Sequence, residues 1–406
     1  MLEATTTRRR AARVLFSAVA LGTTSFVVSI TVAPLVGEDL SRSATLSGLP
    51  WAAGVLGTGL GSALLSQLMA RRGRGPGLAL GYAGGGVGAA LAVLAIANGQ
   101  FALFVLAVLL MGAGNASNHL SRYAAADLYP PERRASGLST VVWAGAIGGV
   151  AGPALLDPSA RLASGGGLPR LAGPFLIAVL GCVAAVAAVA VLLRTTPGAL
   201  RAHDGEAVPT GARLTAMWRA PRAQAALIAL AVAQTVMVLI MAMTPVHMRS
   251  HGHGLGSVGF VISLHVFGMY GLSPISGRLA DRFGPIPMVL AGFGTLAAAA
   301  VIAAASPARA GMWLAVPLFL LGWGWSLSFV SGSALLTEGL AYGDRARLQG
   351  ATDSIVWTAA AVAGLSSGVL VGAFSYAVLC VVGALLVIAP VMVISSRRRI
   401  LATAPA

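Results

Sequence analysis

Gly277-Arg278-Leu279-Ala280-Asp281-Arg282-Phe283-Gly284 separates two long apolar runs, and 211 positions earlier Ser66-Gln67-Leu68-Met69-Ala70-Arg71-Arg72-Gly73-Arg74 separates two others. The same offset holds well outside these loops. Thr24 pairs with Thr235, Pro34 with Pro245, Gly57 with Gly268, Ser62 with Ser273, Pro76 with Pro287 and Gly81 with Gly292. Asp127 falls on Glu338, which keeps the charge. Farther along the offset drifts, and Val142-Trp143 matches Val356-Trp357 at 214. One long unit has therefore been written twice in the same direction.

Composition says what that unit is made of. The chain has 406 residues, of which 57% are hydrophobic and only 10% charged; its mean hydropathy is +0.85. A soluble domain carries roughly 25% charged residues. Some 20 apolar residues in a helix span a bilayer, and runs of that length recur at 12–36, 45–70, 76–97, 100–128, 134–156 and 170–194. Six more lie at 222–248, 256–281, 287–306, 311–340, 346–373 and 375–395. The expected fold is an all-α membrane protein with twelve transmembrane helices in two pseudo-symmetric six-helix bundles. Residues 1–194 would form the N-terminal bundle, 195–221 a polar linker and 222–406 the C-terminal bundle. The first apolar run is long enough to span, so no cleaved leader is expected.

Charge placement orients the chain. All 27 basic residues are Arg. With both termini inside, 21 of them fall at cytoplasmic ends and loops, five fall outside (Arg42, Arg161, Arg170, Arg249 and Arg309) and Arg122 lies within a span. Positive residues stay on the cytoplasmic side, so a multi-pass protein of the plasma (inner) membrane with both termini cytoplasmic is expected. Loops against anionic headgroups also account for the net charge of +15 without nucleic acid. Cys182 and Cys380 stand alone in apolar runs and carry no metal or disulfide pattern. No catalytic triad, phosphate loop or HExxH is legible, so the chain is not expected to be an enzyme. The expected partners are lipid and a small solute or metal ion, and the chain is expected to act as a monomer.

The two loops resemble the signature G-x-L-A-D-R-x-G-R-[RK] of the major facilitator superfamily. The first copy departs from it with Ser66 and Ala70, the second with Pro285-Ile286 in place of the closing basic pair. The resemblance implies a transporter with its substrate site between the halves near mid-membrane. It also implies gating roles: Arg71 would pair with Asp127, Arg282 with Glu338, and Asp281 would cap the start of the eleventh span.

A second cluster points to cargo. Of the 12 Met and 6 His, nine lie between Met237 and Met269. Met237-x-x-x-Met241 falls in span 7 and His265-x-x-x-Met269 in span 8, and residues four apart share a helix face. Thioethers with one imidazole suit soft copper. At the repeat positions stand Phe26, Ile30, Gly54 and Thr58, so the ligand-capable set belongs to one half only. The two motifs resemble those of the CcoA-type copper importers, a branch of the same superfamily, which implies that Met237, Met241, His265 and Met269 carry copper. Copper would be the substrate and no cofactor is called for. His247, Met248, His251 and His253 sit at the outer mouth, where they either gather the metal or form a hydrated loop.

One further stripe is polar. Asn115, Asn118, His119 and Arg122 follow i, i+3, i+4, i+7 in span 4, and such a face is costly against lipid. Arg122 beside a cation path would repel the ion, attract an anionic carrier or pair with Asp353. The leading expectation is copper uptake by alternating access. The alternative is a proton-coupled exporter of drug-like or other small organic molecules. Gly148-x-x-x-Gly152-Pro153 resembles part of the antiporter motif in support of it, but Ser139 stands at that motif's first glycine. Trp143, Trp323, Trp325, Phe329 and Trp357 would serve it as cavity walls.

Overall fold

The computed structural model describes residues 2–43, 46, 48–195, 217–253, 255–307, 311–336 and 342–397. Among the described residues twelve helices are long and apolar enough to cross a membrane, and no strand occurs. We label the spanning helices α1 (Leu2–Ser41), α2 (Leu49–Arg72), α3 (Arg74–Ala97), α4 (Phe101–Ala126), α5 (Arg134–Ala154) and α6 (Gly173–Thr195). In the second half α7 is Pro221–Ser250, and α8 runs in two pieces, Leu255–Val266 and Ser273–Phe283, joined by a π turn at Phe267–Gly271. Then follow α9 (Pro285–Ala305), α10 (Ala315–Leu335), α11 (Tyr342–Ala373) and α12 (Tyr376–Ser396). The π turn and a ten-residue helix at Leu156–Gly165 are additions to the expected pattern. Most of the expected linker lies outside the described residues.

The repeat is written into the turns. Gly73 (φ 91°) and Gly284 (φ 86°), 211 apart, both take the left-handed backbone that a Cβ resists. Each ends one helix and starts the next within a single residue. Pro34 and Pro245 both sit inside their helices, where each removes one backbone hydrogen bond.

The chain divides into two compact units. The first holds residues 1–129, 144–209 and 341–357, that is α1–α4, α6, the second part of α5 and the beginning of α11. Here α4 is the central element, packing on α1, α2 and α3. The contacts are between small residues, as lipid-embedded helices require. A methyl group on Gly112 would collide with the Gly54 carbonyl, and one on Gly81 with the Ser117 hydroxyl. The second unit holds residues 130–143, 210–340 and 358–406. In it α10 takes the part of α4, packing on α7, α8 and α9. A methyl on Gly292 would meet the Ser328 hydroxyl, the repeat partner of the Gly81–Ser117 contact. The division between units falls after Trp143 in α5 and after Trp357 in α11, two residues matched by the sequence repeat.

Candidate functional site

The polar stripe of α4 is built inward in the first unit. Asn115, Asn118 and Arg122 are 7%, 7% and 2% exposed. Asn118 Nδ2 donates to Asn115 Oδ1 at 2.8 Å, and Asn115 Nδ2 donates to the Thr58 hydroxyl of α2 at 3.3 Å. The His119 ring lies 4.5 Å from that of Trp357 in α11, tilted by 53°. Below it Arg122 Nη2 meets Asp353 Oδ1 at 2.6 Å, with both side chains buried. Arg122 also donates to the His119 carbonyl (2.6 Å) and to the Tyr123 hydroxyl (2.7 Å), and that hydroxyl lies 3.3 Å from Asp353 Oδ1. Of the three expectations for Arg122, pairing with Asp353 is the one the structure realises. Asn115 and Asn118 also line a cavity of about 10 Å³ with Tyr82, Ser25 and Cys182, enough for one water.

The His/Met set lies in the second unit. His265 is fully buried on the face of α8 that packs on α10. Its Nδ1 lies 2.8 Å from the Leu318 carbonyl, while its Nε2 is buried with no hydrogen-bond partner. The expected convergence on a space between bundles is corrected for this residue: His265 faces α10. The reason is the repeat itself, because His265 occupies the position of Gly54, which makes the matching helix contact on α4. A methyl on Gly322 would strike the His265 carbonyl, so α8 and α10 touch backbone to backbone there. Met237 and Met269 are 6% and 7% exposed, and Met241 is half-buried.

At the far end of α7, His247 is stacked on Tyr376 at 4.3 Å and lies 4.5 Å from the ring of His251. Both histidines line a cavity of about 340 Å³ with Ser250, Ser306 and Tyr376. Met248 is buried, and the His253 backbone N–H closes a turn on its carbonyl at 3.1 Å. The aromatic candidates divide. Trp325 is buried, stacked on Phe329 at 4.3 Å and bonded through its indole N–H to Gln234 at 2.8 Å. Trp143 is 44% exposed.

The sequence matches the Major Facilitator Superfamily over residues 14–364 and again over 239–404. It is 35% identical over 387 residues to the uncharacterized MFS-type transporter YdeG of Bacillus subtilis, covering 93% of this chain and 90% of that one. The chain belongs to the Major Facilitator Superfamily. A riboflavin transporter, RfnT of Brucella anthropi, is 29% identical over 377 residues, 91% of each chain. The fold resembles that of FucP in its outward conformation, with a TM-score of 0.76, 15% identity and coverage of 95% and 98%. It also resembles a bacterial homologue of the iron transporter ferroportin, at 0.76, 16%, 95% and 98%. The superfamily membership makes the chain a multi-pass membrane transporter.

Within this superfamily member the loop charges sit differently from expectation. Asp127 does not pair with Arg71, which is exposed at the end of α2. It pairs with Arg74 Nε at 3.1 Å and with Arg345 at 3.2 Å. Arg74 is the first residue of α3, turned inward by the Gly73 bend; it is fully buried and reaches Gln349 at 2.5 Å. Asp281 does not cap α11. It accepts the backbone N–H groups of Ala135 and Ser136 at 3.1 and 3.0 Å, at the start of α5, where helical N–H groups lack partners of their own. Arg282 lies over the Phe283 ring at 5.2 Å, and its expected partner Glu338 lies outside the described residues. Arg74 and Gln349 were missed; the signal available was an Arg placed directly after the turn glycine.

Proposed function

We propose that this transporter takes copper inward across the plasma membrane by alternating access, with His265, Met269, Met237 and Met241 handling the ion. The observation that carries the reading is the state of His265. Donation of the Nδ1 proton to the Leu318 carbonyl leaves Nε2 with a bare lone pair, and that nitrogen is buried without a partner. Metal-ligating imidazoles are held in this way through their other nitrogen. A buried polar atom without a protein partner needs an explanation, a bound ion being one, and in a membrane the cost of leaving it bare is larger still. The thioether of Met269 stands four residues on, and Met237 is equally buried. Soft sulfur with one neutral imidazole favours Cu(I) over harder ions.

The test is copper accumulation by liposomes holding the purified protein. His265→Leu and Met269→Leu should each abolish it while the protein remains folded, since Leu keeps most of the volume and removes the ligand. Uptake by His265→Leu equal to that of the parent chain sinks the reading.

A second reading has its own support. The relative named as a riboflavin transporter matches along nearly the whole chain. Tyr270 and Phe329 pack on Trp325, whose indole N–H donates to Gln234, and aromatic faces suit a flat organic ring. Riboflavin offered to the same liposomes, with the gradient set in either direction, separates this reading and its exporter form from copper uptake.

A further inference from the structure

We propose that the C-terminal end of α7 carries a binding site for a divalent transition ion of the zinc class, with His247 and His251 as its protein ligands. The proposal depends on neither cargo reading, since it uses none of the four residues assigned to copper and none of the aromatic group at Trp325.

His247 sits in the last turn of α7 and His251 directly after it, four residues on, which brings both to one side of the helix end. Their ring centroids are 4.5 Å apart and their planes tilted by 51°. Zinc–imidazole bonds of about 2.1 Å put two rings that share an ion at roughly this separation. Closing on an ion therefore asks for side-chain rotation and for no movement of a helix. Each ring is already partly held. His247 lies flat on Tyr376 of α12, at 4.3 Å and 13°. His251 Nδ1 lies 2.8 Å from the His247 carbonyl and 3.2 Å from the Ser250 hydroxyl. Donation of the Nδ1 proton to that carbonyl leaves the His251 lone pair on Nε2, the way ligating imidazoles are held. A neutral His247 offers one bare nitrogen in either tautomer.

The space beside the rings suits an ion with exchangeable water. The cavity of about 340 Å³ is walled by α7, α9, α11 and α12, all within the second unit. A water takes about 30 Å³, so several can complete the coordination. The Tyr376 hydroxyl is engaged by Thr244 at 2.8 Å, which makes the phenol a wall and not a ligand. Two imidazoles with water favour zinc, nickel or copper(II) over magnesium or calcium. The repeat supplies a contrast. At the positions 211 earlier stand Val36 and Leu40, which pack into an apolar core with Phe104 and Phe175. The second unit has two imidazoles and a cavity where the first has hydrocarbon.

The test uses zinc chloride alone, with equilibrium dialysis against the purified full-length protein in detergent. His247→Gln and His251→Gln should each weaken binding by about tenfold or more, and the double variant should abolish this site. His251 is exposed, so its variant tests the site without disturbing the fold. His253→Gln, off the four-residue spacing, should change binding little, and His265→Leu should leave it as it is. Copper(II) bound to His265→Leu and read by electron paramagnetic resonance should show two equatorial nitrogens, reduced to one by adding His251→Gln. Zinc binding undiminished in the double variant, lost in His265→Leu, or missing from the folded parent protein overturns the proposal. If zinc binds as stated while His265→Leu accumulates copper like the parent, the copper reading fails and this one stands. If copper uptake is lost in His265→Leu and the parent binds no zinc at His247 and His251, this proposal alone fails.

Discussion

Gly350 of α11 stands against Ser66 of α2 so closely that a methyl group on the glycine would collide with the serine side chain. The contact recurs 211 positions on with its members exchanged: Gly277 of α8 stands against Ser139 of α5. Ser66 is one of the two residues by which the first loop departs from its signature, and Ser139 stands at the first glycine of the antiporter motif. Each departure is met by a glycine on the facing helix, so the pair conserves space while the residues trade places.

Exchange of such a pair should be tolerated where single changes are not. Gly350→Ser alone should cost about 1–3 kcal/mol through overpacking. Ser66→Gly together with Gly350→Ser should recover most of it, because the double variant reproduces the arrangement of the other half. Thermal unfolding in detergent reads both, and no recovery in the double variant would count against the steric account.

Removing Arg122 should be among the most damaging single changes in the membrane-embedded region. Arg122→Leu leaves Asp353 buried without its partner, at about 3–5 kcal/mol. The sign of the pH dependence follows: the loss belongs to the charged acid, so it should be large at neutral pH and shrink on acidification. Stability curves of the variant at a series of pH values check this, and a loss independent of pH would contradict it.

Asp281→Ala should destabilise the start of α5 by about 1 kcal/mol, the usual cost of a lost N-terminal cap. Asp281→Asn, which keeps one acceptor, should cost less. Hydrogen exchange at Ala135 and Ser136 is the direct readout, expected to quicken in the alanine variant and little in the asparagine one.

Two arginines three residues apart should behave oppositely. Arg71→Ala should leave stability within about 0.5 kcal/mol, as exposed positions do. Arg74→Ala strips buried bonds from Asp127 and Gln349 and should cost several times more. Equal melting temperatures for the two variants would show the assignment to be mistaken.

The fold was legible because its two signals are strong and independent. Apolar runs counted to twelve, and the 211 offset carried Gly73 onto Gly284 and Pro34 onto Pro245. The site was less legible, since spacing gives a helix face but not its neighbour. Arg74 rather than Arg71 meets Asp127 because the backbone at Gly73 turns the chain by a left-handed step that periodicity does not register. Asp281 serves the start of α5 and not that of α11, because its place in the loop does not name the helix packed against it. His265 was expected to look toward a central space, although its repeat partner Gly54 already marked the position as a helix contact. Nothing in the spacing announced the π turn after Val266.

The passage of α5 and α11 from one compact unit into the other, at Trp143 and Trp357, has a mechanical consequence. A linker loop yields to tension by straightening, whereas these two crossings are continuous helix. Either helix would therefore answer tension along its own axis stiffly, through backbone hydrogen bonds that lie along that axis, until one of its turns gave way.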